Sequence, residues 1–259
     1  MHEAEGVRLG LKYRYRLIDF DQLHLDDSAL DPVLRLSTQL GLAGLNITHP
    51  FKERVVEALD ELSPEVSEIG AANTVVMRGA TRVGHNTDSW GFSESFRQSM
   101  TGARLDRVVL LGAGGAGMAV AHALLELGVG HLSVFDIKPE KSAALARRFT
   151  EGSGRGRIAA VDDLERALFD ASGVVNATPV GMAKYPGMPL PANFLNPSIW
   201  VADIVYVPEE TALLRAAKRA GCRTLSGAGM AIFQAIRAFE LITGQRSDPD
   251  HMARHFAAS

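Results

Sequence analysis

The most informative stretch of this 259-residue chain is Arg107-Val108-Val109-Leu110-Leu111-Gly112-Ala113-Gly114-Gly115-Ala116-Gly117. Its first five residues form an apolar run typical of a strand, and its glycines then follow the spacing G-x-G-x-x-G. The mostly apolar segment 116–127 predicts a helix directly after it. In such a strand–turn–helix unit the first glycine makes the tight turn, the second admits a pyrophosphate, and the third lets helix pack on strand. Since a helix N-terminus also favours anions, we predict that residues 112–117 bind a dinucleotide.

Strands and helices continue to alternate after this stretch. Apolar runs predict strands at 131–135, 158–161, 173–176, 199–203 and 222–225. Helices are predicted at 140–148, directly after Pro139, and at 210–220. The glycine-rich stretch 152–156 is expected to be a surface loop. Strands that alternate with helices imply a parallel sheet covered on both faces, and hence a Rossmann-type domain.

The first 90 residues alternate in the same way. Their pattern predicts strands at 13–18 and 43–47, helices at 31–40 and 51–59, and a hairpin of 73–77 with 81–84. From Met230 onward, apolar residues recur at three- and four-residue spacings, which predicts an amphipathic helix. We therefore expect an α/β fold with two domains. Residues 91–228 would form the Rossmann-type dinucleotide-binding domain, and residues 1–90 with 229–259 a smaller α/β substrate domain completed by the C-terminal helices.

Composition and charge narrow the classes of function. The chain is 46% hydrophobic, has a net charge of −3 and a pI near 6.2, and so lacks the basic footprint of a nucleic-acid binder. No apolar run approaches the ~18 residues of a membrane span, and no secretory signal pattern is seen. His85 and His122 lack the spacing partners of a metal site. We expect a cytoplasmic monomer or homodimer with no metal and no membrane or nucleic-acid partner.

The choice of dinucleotide depends on Asp136, at the end of the second predicted strand of the Rossmann domain. An acid at this place accepts hydrogen bonds from the adenine-ribose hydroxyls and repels a 2′-phosphate, which favours NAD over NADP. Lys138 follows two residues later and would weaken that repulsion, so both residues are expected to contact the cofactor. Asp136 could instead only cap the turn before Pro139, and NADP therefore stays possible.

A second group of motifs lies in the first domain. It begins with Gly44-Leu45-Asn46-Ile47-Thr48-His49-Pro50-Phe51-Lys52, which predicts a strand followed by a helix with Lys52 in its first turn. A cation is unfavourable at a helix N-terminus, and the same dipole pushes a lysine towards its neutral form, which suits a residue that moves a proton. Gly70-Ala71-Ala72-Asn73-Thr74 and Gly84-His85-Asn86-Thr87-Asp88 then place amides and a carboxylate at strand ends, where α/β sheets bind ligands.

Together with three later motifs, these strings resemble the shikimate dehydrogenase family. The family pattern runs G-x-N-[VI]-T-x-P-x-K, G-A-x-N-T, G-x-N-T-D, the glycine loop, N-A-T-P-x-G-M, D-x-x-Y-x-P-x-x-T, and G-x-x-M with a downstream Q. Here the last three read Asn176-Ala177-Thr178-Pro179-Val180-Gly181-Met182, Asp203-Ile204-Val205-Tyr206-Val207-Pro208 with Thr211, and Gly227-Ala228-Gly229-Met230 with Gln234. Seven ordered motifs span nearly the whole chain.

The resemblance implies a role for each matching residue. Lys52 would give and take the proton at the substrate hydroxyl or ketone, and Asp88 would orient its ammonium group. The substrate, a small polyhydroxylated ring acid, would be bound by Asn46, Thr48, Asn73, Tyr206 and Gln234. Asn46 could equally be a strand-end cap. Besides the glycine loop, Asp136 and Lys138, the cofactor would contact Asn176, Thr178, Met182 and Gly227.

The sequence departs from the family pattern in two places. Family members carry a strand and a Ser-x-Ser/Thr-Pro turn, whose hydroxyls bind the substrate carboxylate, ahead of the pair that here is Met1-His2. We therefore expect this chain to lack the first strand of its small sheet, through truncation or true absence. Without the two hydroxyl groups, we expect the 259-residue chain to bind the acid weakly. Asp136-Ile137-Lys138-Pro139 also replaces the Asn-Arg-Thr-like residues of NADP-using members, and Ser89 stands where those often have Gly. Both features resemble NAD-preferring quinate/shikimate dehydrogenases or their aminoshikimate relatives.

The resemblance thus implies an oxidoreductase that transfers a hydride between NAD and the ring hydroxyl of shikimate or quinate. Two alternatives stay open. An NADP-dependent biosynthetic shikimate dehydrogenase would differ only at Asp136 and its neighbours, and a non-catalytic dinucleotide-binding relative would have lost the acid pocket. The presence of Lys52, Asp88, Tyr206 and Gln234 favours the enzyme.

Overall fold

The computed structural model describes residues 1–152 and 158–257 of the chain. The surface loop predicted at 152–156 lies, from residue 153 onward, outside the described residues. The chain divides into two compact units, one made of Met1–Thr87 with Ile232–Ser259 and the other of Asp88–Ala231.

The helices and strands are given in chain order. They are α1 (His2–Arg8), α2 (Leu30–Gln39), β1 (Gly44–Asn46), β2 (Glu61–Leu62), α3 (Pro64–Ile69), β3 (Thr74–Arg78), β4 (Thr81–His85), α4 (Thr87–Ser99), β5 (Arg107–Leu111), α5 (Gly115–Glu126), β6 (His131–Phe135), α6 (Pro139–Gly152), β7 (Ile158–Ala160), α7 (Leu164–Phe169), β8 (Gly173–Asn176), β9 (Trp200–Asp203), α8 (Ala212–Arg219), β10 (Arg223–Ser226), α9 (Gly227–Thr243) and α10 (Pro249–Ala257). Short 3-10 helices lie at Asp27–Ala29, Arg54–Ala58 and Ala192–Phe194.

The first unit is built on a four-stranded sheet in the order β1-β3-β4-β2. β3 pairs antiparallel with β1 and with β4, and β2 pairs parallel with β4. The predicted hairpin is confirmed, with Gly79 at φ +63 in its turn, a backbone conformation that favours glycine. The core of this unit includes Leu34 of α2, which packs in one cluster with Val55, Val66 and Val75. This core fixes the strand ends that carry the candidate substrate residues.

The strand predicted at 13–18 is wrong. Among the described residues no strand pairs with this segment, and a strand without a ladder partner leaves its backbone groups to other bonds. The Tyr15 N–H donates instead to Glu3 Oε1 at 2.9 Å, and the Tyr15 hydroxyl donates to Asn46 Oδ1 at 3.0 Å. Side-chain contacts therefore hold this segment where a ladder was expected.

The helix predicted at 51–59 is also wrong in type and extent, because only the 3-10 helix Arg54–Ala58 forms. In an α-helix the Lys52 carbonyl would accept from Val56. Here it accepts from the Ala72 N–H at 2.8 Å, and the Val56 N–H donates to the Glu53 carbonyl at 3.3 Å. Lys52 consequently lies in a turn before the 3-10 helix, and the helix-dipole argument for a neutral lysine loses its basis.

Helix α1 is tied to the C-terminal region of the same unit by Glu5, whose side chain is fully buried. The Arg8 guanidinium donates to both Glu5 oxygens, with distances of 2.6 to 3.0 Å, and the Asp248 N–H donates to Oε1 at 2.7 Å. His251 Nδ1 lies 2.8 Å from Oε2. Burial alone would raise the pKa of Glu5, but these hydrogen bonds outweigh it and lower the pKa. The first helix is thereby fixed by residues more than 240 positions later.

The second unit is built on a six-stranded sheet in the order β10-β9-β8-β5-β6-β7, in which all neighbours run parallel. The five strands predicted beyond β5 all form, each within one residue of its predicted bounds. β8 and β9 are buried along their whole length, as strands covered on both faces are. β6 and β7 lie on one side of β5 in the sheet, whereas the later strands β8, β9 and β10 lie on the other side of β5. This change of side is the point at which parallel sheets bind ligands, at the carboxyl ends of the strands.

Candidate active site

The loop between β5 and α5 gives its three motif glycines different environments. Gly112 has φ +95, and a Cβ there would lie 2.8 Å from the Ala177 carbonyl oxygen. A Cβ on Gly117 would lie 2.1 Å from the Gly112 carbonyl oxygen, so helix and turn meet too closely for any side chain. At Gly114, the N-cap of α5, nothing beyond the adjoining backbone lies within 4 Å of the Cβ position among the described residues. The backbone at Gly114 is therefore open to approach beside a helix N-terminus, which is the environment that a pyrophosphate needs, and the loop fits a dinucleotide.

Asp136 follows β6 and is bonded to this loop. Its Oδ2 accepts from the Ala113 N–H at 2.8 Å, and its Oδ1 accepts from the Lys138 N–H at 2.9 Å. The bond from the Lys138 N–H caps the turn before Pro139, which was the alternative role of Asp136 predicted from the sequence. Because an ionised carboxylate has about four acceptor positions, two bonds leave capacity for ribose hydroxyls. The half-buried carboxylate can thus cap its turn and also meet a cofactor.

The turn after β8 is organised by Asn176, which is completely buried. Its Nδ2 donates to the Val180 carbonyl and to Asp203 Oδ1, both at 2.9 Å, and its Oδ1 accepts from the N–H and hydroxyl of Thr178 at 3.0 and 2.6 Å. Thr178 is half-buried, whereas Met182 is exposed. The hydrogen bonds of Asn176 therefore fix the backbone of the turn that carries Thr178 and Val180.

Gly227 packs on the segment that follows β9, and the same segment carries Tyr206. Gly227 begins α9, and a Cβ on it would lie 2.2 Å from the carbonyl oxygen of Ile204, so close packing accounts for this glycine. Tyr206 lies two residues after Ile204. It exposes 47% of its surface, which leaves the side chain accessible. Gln234 is a half-buried residue of α9 in the first unit.

In the first unit a row of polar side chains joins the ends of three strands. Asn46 Nδ2 donates to Thr74 Oγ1 at 3.3 Å, and the Thr74 hydroxyl donates to Asn73 Oδ1 at 3.2 Å. Asn73 Nδ2 donates to Thr87 Oγ1 at 3.0 Å, and the Thr87 N–H returns a bond to Asn73 Oδ1 at 2.7 Å. The structure brings Asn46 and Asn73 into one network, whereas Thr48 is exposed and its hydroxyl lies 3.5 Å from the carbonyl oxygen of His49.

Lys52 and Asp88 have different surroundings. Lys52 is half-buried in its turn, and its carbonyl bond to Ala72 fixes its backbone next to Asn73. Asp88 is 6% exposed and lies in the first turn of α4. The neighbouring Ser89 places its Oγ 2.7 Å from Nδ1 of His122.

Sequence reasoning gave no role to Asp203, Thr87 or Tyr15. Asp203 ends a predicted strand of the parallel sheet, and the same strand-end rule that selected Asp136 would have selected it. Thr87 stands in the quoted motif beside Asp88, yet its bonds to Asn73 depend on the sheet register. Tyr15 had no sequence signal, because its contact with Asn46 spans 31 positions.

Neither a metal-binding cluster nor a helix able to span a membrane is found among the described residues. Within 1–152 and 158–257, no group of three or more His, Cys, Asp or Glu side chains is arranged to hold a metal ion. Over the same residues, none of the helices combines the length and apolar character needed to cross a bilayer.

The fold and the loop define a Rossmann-type α/β protein with a second, smaller α/β unit. The pattern of the shikimate dehydrogenase substrate binding domain matches residues 1–75. Shikimate dehydrogenase (NADP(+)) of Streptomyces avermitilis is 52% identical over 259 residues, which cover 99% of this chain and 89% of that protein. Quinate/shikimate dehydrogenase (NAD(+)) of Corynebacterium efficiens is 43% identical and covers 99% of this chain and 91% of its own length. This chain belongs to the shikimate dehydrogenase family, as its motifs predicted.

A solved structure agrees with this assignment. Quinate dehydrogenase from Corynebacterium glutamicum in complex with NAD superposes with a TM-score of 0.95 at 42% identity, covering 100% of this chain and 93% of that one. The predicted fold class, a Rossmann-type unit with a smaller α/β substrate unit, is confirmed.

Proposed function

We propose that this protein is an oxidoreductase that transfers a hydride between NAD and the ring hydroxyl of shikimate or quinate. The observation that carries the proposal is 43–52% identity, over 99% of the chain, to enzymes named for these two acids. Lys52 and Asp88, to which the family resemblance assigns the proton transfer, are both present in this chain.

Residues 112–117 and Asp136 would hold the dinucleotide, which supplies the hydride acceptor when it is bound. The Asp136 carboxylate offers acceptors to the ribose hydroxyls and opposes a 2′-phosphate, which supports NAD. One observation favours NADP as the alternative cofactor, because the relative that is 52% identical is named for NADP. The exposed Lys138 would then meet the phosphate.

We assign the proton transfer to Lys52, with Asp88 as its acidic partner, and the binding of ring hydroxyls to Asn46, Thr48 and Asn73. The bond between the Lys52 carbonyl and the Ala72 N–H supports this, since it fixes the lysine backbone beside Asn73. Tyr206 and Gln234 are assigned to the same substrate. In our proposal residues 1–90 with 229–259 form the substrate domain and 91–228 the cofactor domain. A buried single thiol, Cys222, fits a reducing compartment, and we propose a cytoplasmic monomer or homodimer.

An initial-rate matrix of quinate and shikimate against NAD and NADP tests the proposal. We expect turnover of at least one acid, with NAD giving the higher kcat/KM. A higher kcat/KM with NADP would establish the alternative cofactor. If the protein binds NADH but turns over neither acid with either cofactor, it is the non-catalytic relative and the proposed function is wrong.

A further inference from the structure

Asp203, at the carboxyl end of β9, is a charged side chain in an almost closed environment, with 1% of its surface exposed. Its Oδ1 accepts from Asn176 Nδ2 at 2.9 Å and from the Val205 N–H at 3.1 Å, and its Oδ2 accepts from the Thr211 hydroxyl at 2.6 Å. All three partners are donors. An unpaired buried carboxylate is costly, and three donors to one carboxylate offset that cost.

Each bond reaches a different segment. The bond from Asn176 holds the residue that organises the turn 176–182. The bond from Val205 closes the turn that carries Tyr206. The bond from Thr211 fixes the start of α8, because the Thr211 hydroxyl also accepts from the Leu214 N–H at 3.2 Å. One carboxylate therefore joins the end of β8, the turn after β9 and the start of a helix.

The 176–182 turn also lies beside Asp203 at Gly181. Gly181, in the same 176–182 turn, has φ +111, and a Cβ on it would lie 3.6 Å from Asp203 Oδ2. Burial raises the pKa of Asp203 above its usual value, because it outweighs the opposing bonds from Thr211, Val205 and Asn176. The N–H groups of Asn176 and Val205 can only donate, so Oδ1 of Asp203 is held as an acceptor.

We propose that Asp203 is a positioning residue that sets the 176–182 turn and the Tyr206 turn in one arrangement. This inference rests on the proposed function and on the family resemblance, by which Asn176, Thr178 and Met182 of the first turn would contact the cofactor and Tyr206 the acid. Asp203 touches neither ligand and acts through Asn176 and Val205. Its loss should therefore lower turnover far more than it lowers dinucleotide affinity, because residues 112–117 and Asp136 are untouched.

The test compares Asp203→Asn with Asp163→Asn, the same chemical change at a helix cap of the same unit. Asp163 accepts from the Arg166 N–H at 2.9 Å at the start of α7. We expect Asp203→Asn to bind NADH within threefold of wild type but to lose at least tenfold in kcat/KM. The fluorescence lifetime of its bound NADH should move towards that of free NADH. Asp163→Asn should match wild type in all three.

A wild-type kcat/KM and lifetime in Asp203→Asn would overturn the inference, as would an equal loss in Asp163→Asn. If Asp203→Asn does not fold, Thr211→Val removes one of the three bonds. It should lose at least threefold in kcat/KM and shift the lifetime in the same direction, and wild-type values would again overturn the inference. If the wild-type protein turns over neither acid, the proposed function fails, while the NADH lifetimes still decide whether Asp203 positions the turn.

Discussion

Asp136→Ala removes the carboxylate that the glycine loop binds at the end of β6. In the folded protein this carboxylate accepts from two backbone N–H groups, at 2.8 and 2.9 Å, and in our proposal it also accepts from the cofactor ribose. A hydrogen bond to a charged group contributes about 1.5–3 kcal/mol. Loss of the ribose bond should therefore weaken NAD binding by roughly 10- to 150-fold, at 1.4 kcal/mol per tenfold.

The same change should help NADP. Two like unit charges 4 Å apart repel by about 4 kcal/mol at an effective dielectric constant of 20. Because Asp136 is only half-buried, solvent reduces this figure, and we expect at least about a tenfold gain for NADP. Together the two effects should lower the ratio of kcat/KM for NAD over NADP by at least about 100-fold.

The ratio is measured from initial rates with each cofactor at a fixed, saturating acid. Asp136→Asn is the matched control, since its amide oxygen can still accept from the Ala113 N–H while the charge is lost. It should gain NADP use and lose less NAD use than the alanine variant. Lys138→Ala should change the ratio in the opposite direction. A ratio that is the same in Asp136→Ala and wild type would refute the assignment of Asp136.

Three further changes have defined outcomes. Lys52→Ala should lose about 10²–10⁴-fold in kcat while its NADH Kd stays near the wild-type value, and wild-type kcat would remove Lys52 from the proton transfer. Burial raises the pKa of Glu65, but hydrogen bonds outweigh it and lower the pKa from 4.5 to about 2. The carboxylate thus contributes at most about 3 kcal/mol above pH 4.5, lost as the pH falls towards 2, and Glu65→Gln should flatten denaturant-measured stability over that range. A Cβ on Gly173 would lie 2.0 Å from the Trp200 ring, so Gly173→Ala should cost about 1–3 kcal/mol and lower Tm by about 3–10 °C. Gly114→Ala, where the Cβ position is open, should show a much smaller drop, and equal drops would contradict the packing explanation.

The parallel sheet was predictable because its determinants are local. Each strand is a short apolar run, and the glycine motif at 112–117 can be recognised from the residues directly before and after it. Asp136 was predictable for the same reason, since its position at a strand end follows directly from the run before it. Its bond to Ala113 was not predictable, because it depends on how β5 and β6 pair.

The mistaken predictions depend on distant partners. Residues 13–18 have a strand-like pattern, but a strand forms only where another strand lies beside it, and the local sequence does not show whether one does. The segment after Phe51 has a helical pattern, but the Ala72 N–H takes the Lys52 carbonyl that a helix would use. Helix α1 was not predicted at all, and its buried Glu5 is satisfied by residues from the other end of the sequence.

The bonds of Glu5 to Asp248 and His251 have a consequence for synthesis of the chain. The second unit, Asp88–Ala231, is continuous in sequence, whereas the first unit needs Ile232–Ser259 to be whole. Domains fold as units during translation, at about 5–20 residues per second, so the roughly 160 positions between residues 87 and 248 take about 8–30 s to appear. During that interval Arg8 is the only one of the three Glu5 partners described above that has been synthesised. The order of translation therefore lets the Rossmann-type unit fold first and delays the substrate unit until its last helices emerge.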